Sequence, residues 1–74
     1  MTKSKILAAN PRNNMDCIVE LEDQSTIEGR VVSFTPARVE LEVYQVRGPS
    51  GESLGRDLGY RTIQEREMSG FYLL

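Results

Sequence analysis

Two arginines stand where a small polar chain could meet a nucleic acid. Arg38 follows the turn residues Thr35-Pro36-Ala37, and Arg66 sits in the charged run Gln64-Glu65-Arg66-Glu67. A guanidinium beside a loop can bond a phosphate or stack flat on a base, the way single-stranded RNA is commonly held. The bland alternative is a solvated arginine paired with Glu40, Glu65 or Glu67, since surface ion pairs are common and contribute little. Other chemistry finds few residues. There is no histidine and one cysteine, Cys17, which excludes an internal disulfide and argues against a zinc or thiol-based site. Glu65 and Glu67 are neighbouring carboxylates with no sign of burial or of a partner acid. The stretch "RGPSGESLGRDLG" lacks the Gly-Lys-Ser/Thr ending of a phosphate loop and opens no helix. The expectation is no enzyme, no cofactor, no metal and no small-molecule substrate.

The elements that must position these residues are mostly strands. "TKSKILAA" predicts a short helix, capped by Thr2 or Ser4 and stopped before "NPRNN". In "MDCIVELE", Cys17, Val19 and Leu21 alternate with Asp16, Glu20 and Glu22, a half-buried strand. "DQS" turns the chain into "TIEGRVVSF", whose Gly29 marks a sharp bend or a close backbone approach. "TPA" turns it again into "RVELEVYQV", and "RGPSGESLGRDLG" is expected to be a loop. "YRTIQEREM" predicts a fourth strand, "SG" a turn, and "FYLL" a fifth. The fold class is mainly β: one short N-terminal helix followed by a five-stranded, strongly bent antiparallel barrel.

The 74 residues form one domain, 39% hydrophobic and 27% charged, which is ordinary for a globular chain. The net charge of −2 is unevenly spread. Residues 1–14 hold Lys3, Lys5 and Arg12 and no acid, whereas 15–46 hold seven acids against Arg30 and Arg38. A general basic patch is absent, so any nucleic-acid contact has to be local. No apolar run nears the ~20 residues of a membrane span, and no signal peptide is read. A lone cysteine in a strand fits a reducing, cytoplasmic compartment.

The order of these elements and several letters within them resemble the Sm/Lsm/Hfq family. "VELEDQSTIEGRVVSFT" supplies Val19, Leu21, Asp23, Gly29, Ser33 and Phe34 in the order of that family's first motif. Met68-Ser69-Gly70 followed by Phe71, Tyr72, Leu73 and Leu74 is similar to its second. The resemblance implies a single Sm-like (SH3-like) domain over 1–74: helix and linker 1–14, first motif 15–46, variable loop 47–59, second motif 60–74. It makes Gly29, Phe34 and Gly70 structural motif positions. It also implies a homo-oligomeric ring with single-stranded RNA as partner, and places Arg38, Arg66 and Ser69 at the pore loops as RNA-binding residues. The chain departs from the family at those loops. Gln24 replaces the turn glycine and Thr35 the loop aspartate; the Met-Asn pair falls near Arg38-Val39, or Val39-Glu40 with a one-residue insertion, and Ser69 replaces the arginine. The scaffold therefore carries over and the nucleotide pocket does not. An assembly or protein-interaction module that has lost the pocket is the second reading.

Small size sharpens the question of assembly. A domain this short buries a modest share of its surface, and with disulfides and metals excluded, association is the remaining common source of stability. In the family, the last strand pairs with strand four of the next subunit. Phe71, Tyr72, Leu73 and Leu74 are accordingly expected at an oligomer interface, received by the edge around 60–68 of a neighbour. The alternative is a terminal strand paired only within its own sheet.

Overall fold

The structure, a computed structural model, describes residues 4–74, with the side chain of Asp57 outside that description. Thr2 and Lys3 lie outside the described residues. Helix α1 (Lys5–Ala8) is one turn, and Ser4 caps it by accepting the N–H groups of Ile6 and Leu7 at 3.2 and 3.4 Å. Five strands follow: β1 (Asp16–Leu21), β2 (Thr26–Thr35), β3 (Arg38–Arg47), β4 (Ser53–Gln64) and β5 (Met68–Leu73). All pairings are antiparallel, in the order β4-β3-β2-β1-β5. Among the described residues no helix is long and apolar enough to cross a membrane.

Alternation sets the inner face. Cys17 and Val19 of β1, Ile27 and Val31 of β2, and Val39, Leu41 and Val43 of β3 are all buried. In β3 the apolar set then shifts from Val43 to Val46, because pairing with β4 is irregular around Tyr44 and the extra residue switches faces. Ile63 of β4 and Met68 and Phe71 of β5 join the same core, with Ile6 of α1. The two edge strands can share one core only if the sheet bends round it. Burial pushes the Cys17 thiol up to about 12, with the Asp16 charge adding to the shift. That cysteine packs as a small hydrophobe.

Two expectations are corrected. Residues 47–59 are not all loop: β4 starts at Ser53 and pairs Arg47↔Ser53, Val46↔Gly55, Gln45↔Arg56 and Val43↔Gly59. Its glycines and serine look like a linker in sequence, but the backbone ladder of β3 enlists them. The second correction concerns 65–70. Strand four ends at Gln64, and Glu65–Glu67 form a single 3-10 turn in which the Gln64 N–H donates to the Glu67 carboxylate at 2.9 Å. Ser69 and Gly70 lie inside β5 instead of forming a turn. Leu21 pairs Met68 while Glu20 pairs Gly70, so Ser69 is the extra residue of a bulge.

Candidate functional site

Three segments meet at one end of the sheet. Ser4 Oγ donates to the Pro36 carbonyl at 2.6 Å, the Glu65 N–H donates to the Ala37 carbonyl at 2.7 Å, and Lys5 Nζ lies 3.6 Å from Glu65. Helix α1, the β2–β3 turn and the 3-10 turn are thereby tied together. Thr35 shapes the β2–β3 turn, its Oγ1 accepting from the N–H groups of Ala37 and Arg38, both at 3.2 Å. Its hydroxyl thus serves the local role an aspartate commonly has in such turns.

Arg38 opens β3 opposite Gln64. With Ser33, Phe34, Thr35, Glu40 and Thr62 these two residues line an open concavity of about 520 Å³. Phe34 is half-buried, packed against the core on one side. The arrangement sets a cation, a carboxylate, hydroxyls and an aromatic side chain around one open hollow, a mostly polar lining. Arg66 is exposed on the 3-10 turn and does not line that hollow. Among the described residues neither Arg38 nor Arg66 is in an ion pair.

Ser69 is placed differently. Its hydroxyl faces the Glu20 carbonyl and carboxylate and the Leu21 carbonyl, at 3.2–3.3 Å, none of which lines the Arg38 hollow. Its geometry is that of a bulge residue tying β5 to β1. At the β1–β2 turn Gln24 holds φ 71°, left-handed geometry that glycine takes most easily. Asp23 accepts from the N–H and hydroxyl of Ser25, which holds its carboxyl below the usual range.

The outer face is polar and internally satisfied over much of its area. Arg30 bonds Glu42 at 2.9–3.0 Å and Asn14 at 2.8 Å, and the Tyr44 hydroxyl donates to Asp16 at 3.2 Å. The exception is Gln45, whose Nε2 is buried without a partner while its Oε1 accepts from Arg47.

The two sheet edges are the other candidate surface. Among the described residues β5 pairs with β1 along one side and no strand of the sheet lies beyond its other side; β4 is likewise open beyond β3. Phe71 is 6% exposed and Leu73 packs partly on the core, while Tyr72 and Leu74 are 54% and 64% exposed. The phenol ring of Tyr72 lies over Gly70, where a Cβ would come within 2.6–2.9 Å of it. On β4, Leu54, Leu58 and Tyr60 are exposed at 60%, 55% and 65%. Sequence reasoning passed over Leu54 and Leu58 because they fell in the expected loop. Their signal was two leucines in a stretch otherwise made of loop-forming residues. A scan of family models and a search of curated proteins return no match for this chain.

Proposed function

We propose that this chain is a non-enzymatic, self-assembling Sm-like barrel in which β5 of one copy adds to β4 of the next, repeating head to tail into a ring. The observation that carries the reading is the pair of open edges, each bearing exposed apolar side chains. Protected edges use charge, proline or cover to prevent such pairing, and β5, "MSGFYL", has no charge or proline. Strand addition would satisfy its free backbone groups and cover Tyr72 and Leu74. The resemblance at Gly29 and Phe34, and the left-handed Gln24 where the family has glycine, support the Sm-like assignment.

The test is native mass spectrometry and light scattering at low salt on the parent chain, Tyr72→Asp and Tyr60→Asp. A single closed oligomer is expected for the parent. Both variants should shift to a monomer that still melts cooperatively, at a temperature lowered only by the lost association, because both side chains are exposed within the single chain. A folded, monomeric parent overturns the reading.

RNA association is the second reading, favoured by the hollow that sets Arg38 beside Phe34 and by the absence of an ion pair on Arg38 and Arg66 among the described residues. Arg38→Ala should weaken binding of a single-stranded oligonucleotide by roughly five- to tenfold, the loss of one stacking or phosphate contact. Arg66→Ala should lower the salt dependence of binding by about one phosphate contact. Unchanged affinity in both leaves Arg38 and Arg66 as surface residues that do not contact RNA.

A further inference from the structure

The bonds already made inside the sheet fix which backbone groups are free at its two open edges. Along an antiparallel pair, one residue aims its N–H and C=O at the partner strand and the next aims them away. On β5, the Leu74 N–H donates to the Asp16 carbonyl at 3.0 Å, and Tyr72 and Gly70 continue that register opposite Ile18 and Glu20. The backbone groups of Phe71 and Leu73 therefore point to the open side. On β4, the Glu65 N–H donates to the Ala37 carbonyl at 2.7 Å, in register with Val39↔Ile63 and Leu41↔Arg61. Tyr60, Thr62 and Gln64 therefore hold the free groups there. The two sets lie on different faces. Phe71 and Leu73 are on the inner face, opposite the buried Val19 and Cys17. Tyr60 and Thr62 are on the outer face, opposite Glu42 and Glu40.

We infer that the joint between copies is antiparallel and exchanges faces: the inner face of β5 continues as the outer face of the next copy's β4. This rests on the edge-pairing reading proposed above. In an antiparallel pair, residues that exchange hydrogen bonds stand directly opposite, with their side chains on one face. Phe71 and Leu73 can bond Tyr60 and Thr62 in that way only where an inner face meets an outer one. A parallel joint would keep the faces aligned and leave Tyr60 and Tyr72 together on the common outer surface. The antiparallel joint covers both rings. It sets the exposed Tyr60 beside Leu73, at the border of the neighbour's core. It sets the exposed Tyr72 beside Arg61, an inner-face position that its own chain leaves exposed.

The register follows from where β4 is regular. Its pairing with β3 stays in step from Gly59 to Gln64, slips between Arg56 and Gly59, and slips again between Ser53 and Gly55. Gly59 itself has φ 76°. Bulges of this kind keep a second strand from lying flush along an edge. At the other end the 3-10 turn of Glu65–Glu67 closes the usable edge. One alignment keeps 70–73 wholly within 60–63: Leu73 opposite Tyr60, Tyr72 opposite Arg61 and Phe71 opposite Thr62. A shift of two residues one way runs β5 into the bulge, and two the other way into the 3-10 turn. Leu54 and Leu58 flank the joint and do not enter it.

Cysteine pairs test sense and register together, since Cys17 is buried and takes no part. Arg61→Cys with Tyr72→Cys, and separately Tyr60→Cys with Leu73→Cys, should each give a ladder of linked copies on oxidation with diamide. Directly opposite residues of an antiparallel pair have Cα atoms within disulfide reach. Tyr60→Cys with Tyr72→Cys should give no ladder, because those positions lie on opposite faces of the joined sheet. Native mass spectrometry and thermal melts before oxidation identify a variant that has not assembled or folded. In that case the parent decides, as a ring refolded from equal parts of carbon-13-labelled and unlabelled chain. An Hα–Hα contact between Arg61 of one copy and Tyr72 of another is expected there. A ladder from the Tyr60 and Tyr72 pair, or a Tyr72 contact to Thr62 in its place, overturns the face-exchanging joint and leaves edge pairing standing. A monomeric parent, or a ring with no contact between β5 and β4 of different copies, overturns edge pairing and this inference with it.

Discussion

Phe71→Ala should destabilise the folded chain by about 3–5 kcal/mol, the usual range for removing a buried aromatic ring. For a chain of 74 residues the whole stability is roughly 4–11 kcal/mol, so the variant should sit near unfolding. The reason is position. Phe71 is 6% exposed, pairs Val19 across β1 and belongs to the core with Met68 and Ile63. Phe71→Asp should be worse, since a carboxylate there would be desolvated without a partner. Its neighbour gives the contrast: Tyr72→Ala removes an exposed ring and should change monomer stability by no more than about 0.5 kcal/mol. Urea denaturation of the two variants measures both. If Phe71→Ala unfolds at the parent's midpoint, β5 is not the wall of the core described here. The comparison also shows that alternate side chains of β5 have different tasks, with 71 serving the fold and 72 the edge.

That division was half legible in the sequence. Alternation in 16–21 and 38–43 is regular, so the inner face of β1 and most of β3 could be read directly. The turns at 23–25 and 36–37 also announced themselves through Asp, Ser and Pro. The second half of β4, 60–64, was read as a strand, but its first half, 53–59, was hidden because Gly55 and Gly59 have no side chain to show a period, and the pairing that makes them strand residues comes from β3. Gly59 in fact has φ 76°, a local irregularity tolerated within the strand. The start of β5 was hidden for a related reason: Ser69 is a bulge residue and Gly70 makes room for the Tyr72 ring.

The candidate site shows the same limit. Arg38 was identifiable by its place after a turn, yet its companions Thr62 and Gln64 reach it only through strand pairing. Ser69 was assigned by family position alone, and its hydroxyl instead meets β1. Exposure of Leu54, Leu58 and Tyr60 depends on nothing lying beyond β4, a fact of topology that no local pattern encodes.

Gly29→Ala should lower the melting temperature by roughly 5–20 °C, the equivalent of about 1–3 kcal/mol of overpacking in a domain of this size. Gly29 lies in the middle of the sheet, paired to Cys17 on one side and Val43 on the other. A Cβ there would fall inside contact distance of the Glu42 carbonyl oxygen, 3.2 Å from its carbon and 3.3 Å from the Val43 Cα. Those atoms are backbone and cannot rotate aside as a side chain would. β2 and β3 would have to separate at the irregular step between Glu28 and Gly29. Glu42 is further held by Arg30, so the displacement would also disturb that pair. Gly51→Ala is the natural control: a Cβ there meets nothing, and the cost is only that of its φ of 84°, about 1 kcal/mol. A Gly29→Ala melt within a degree or two of the parent would mean that β3 does not approach this position so closely. The sharp bend that brings β4 and β5 around one core would then need another cause.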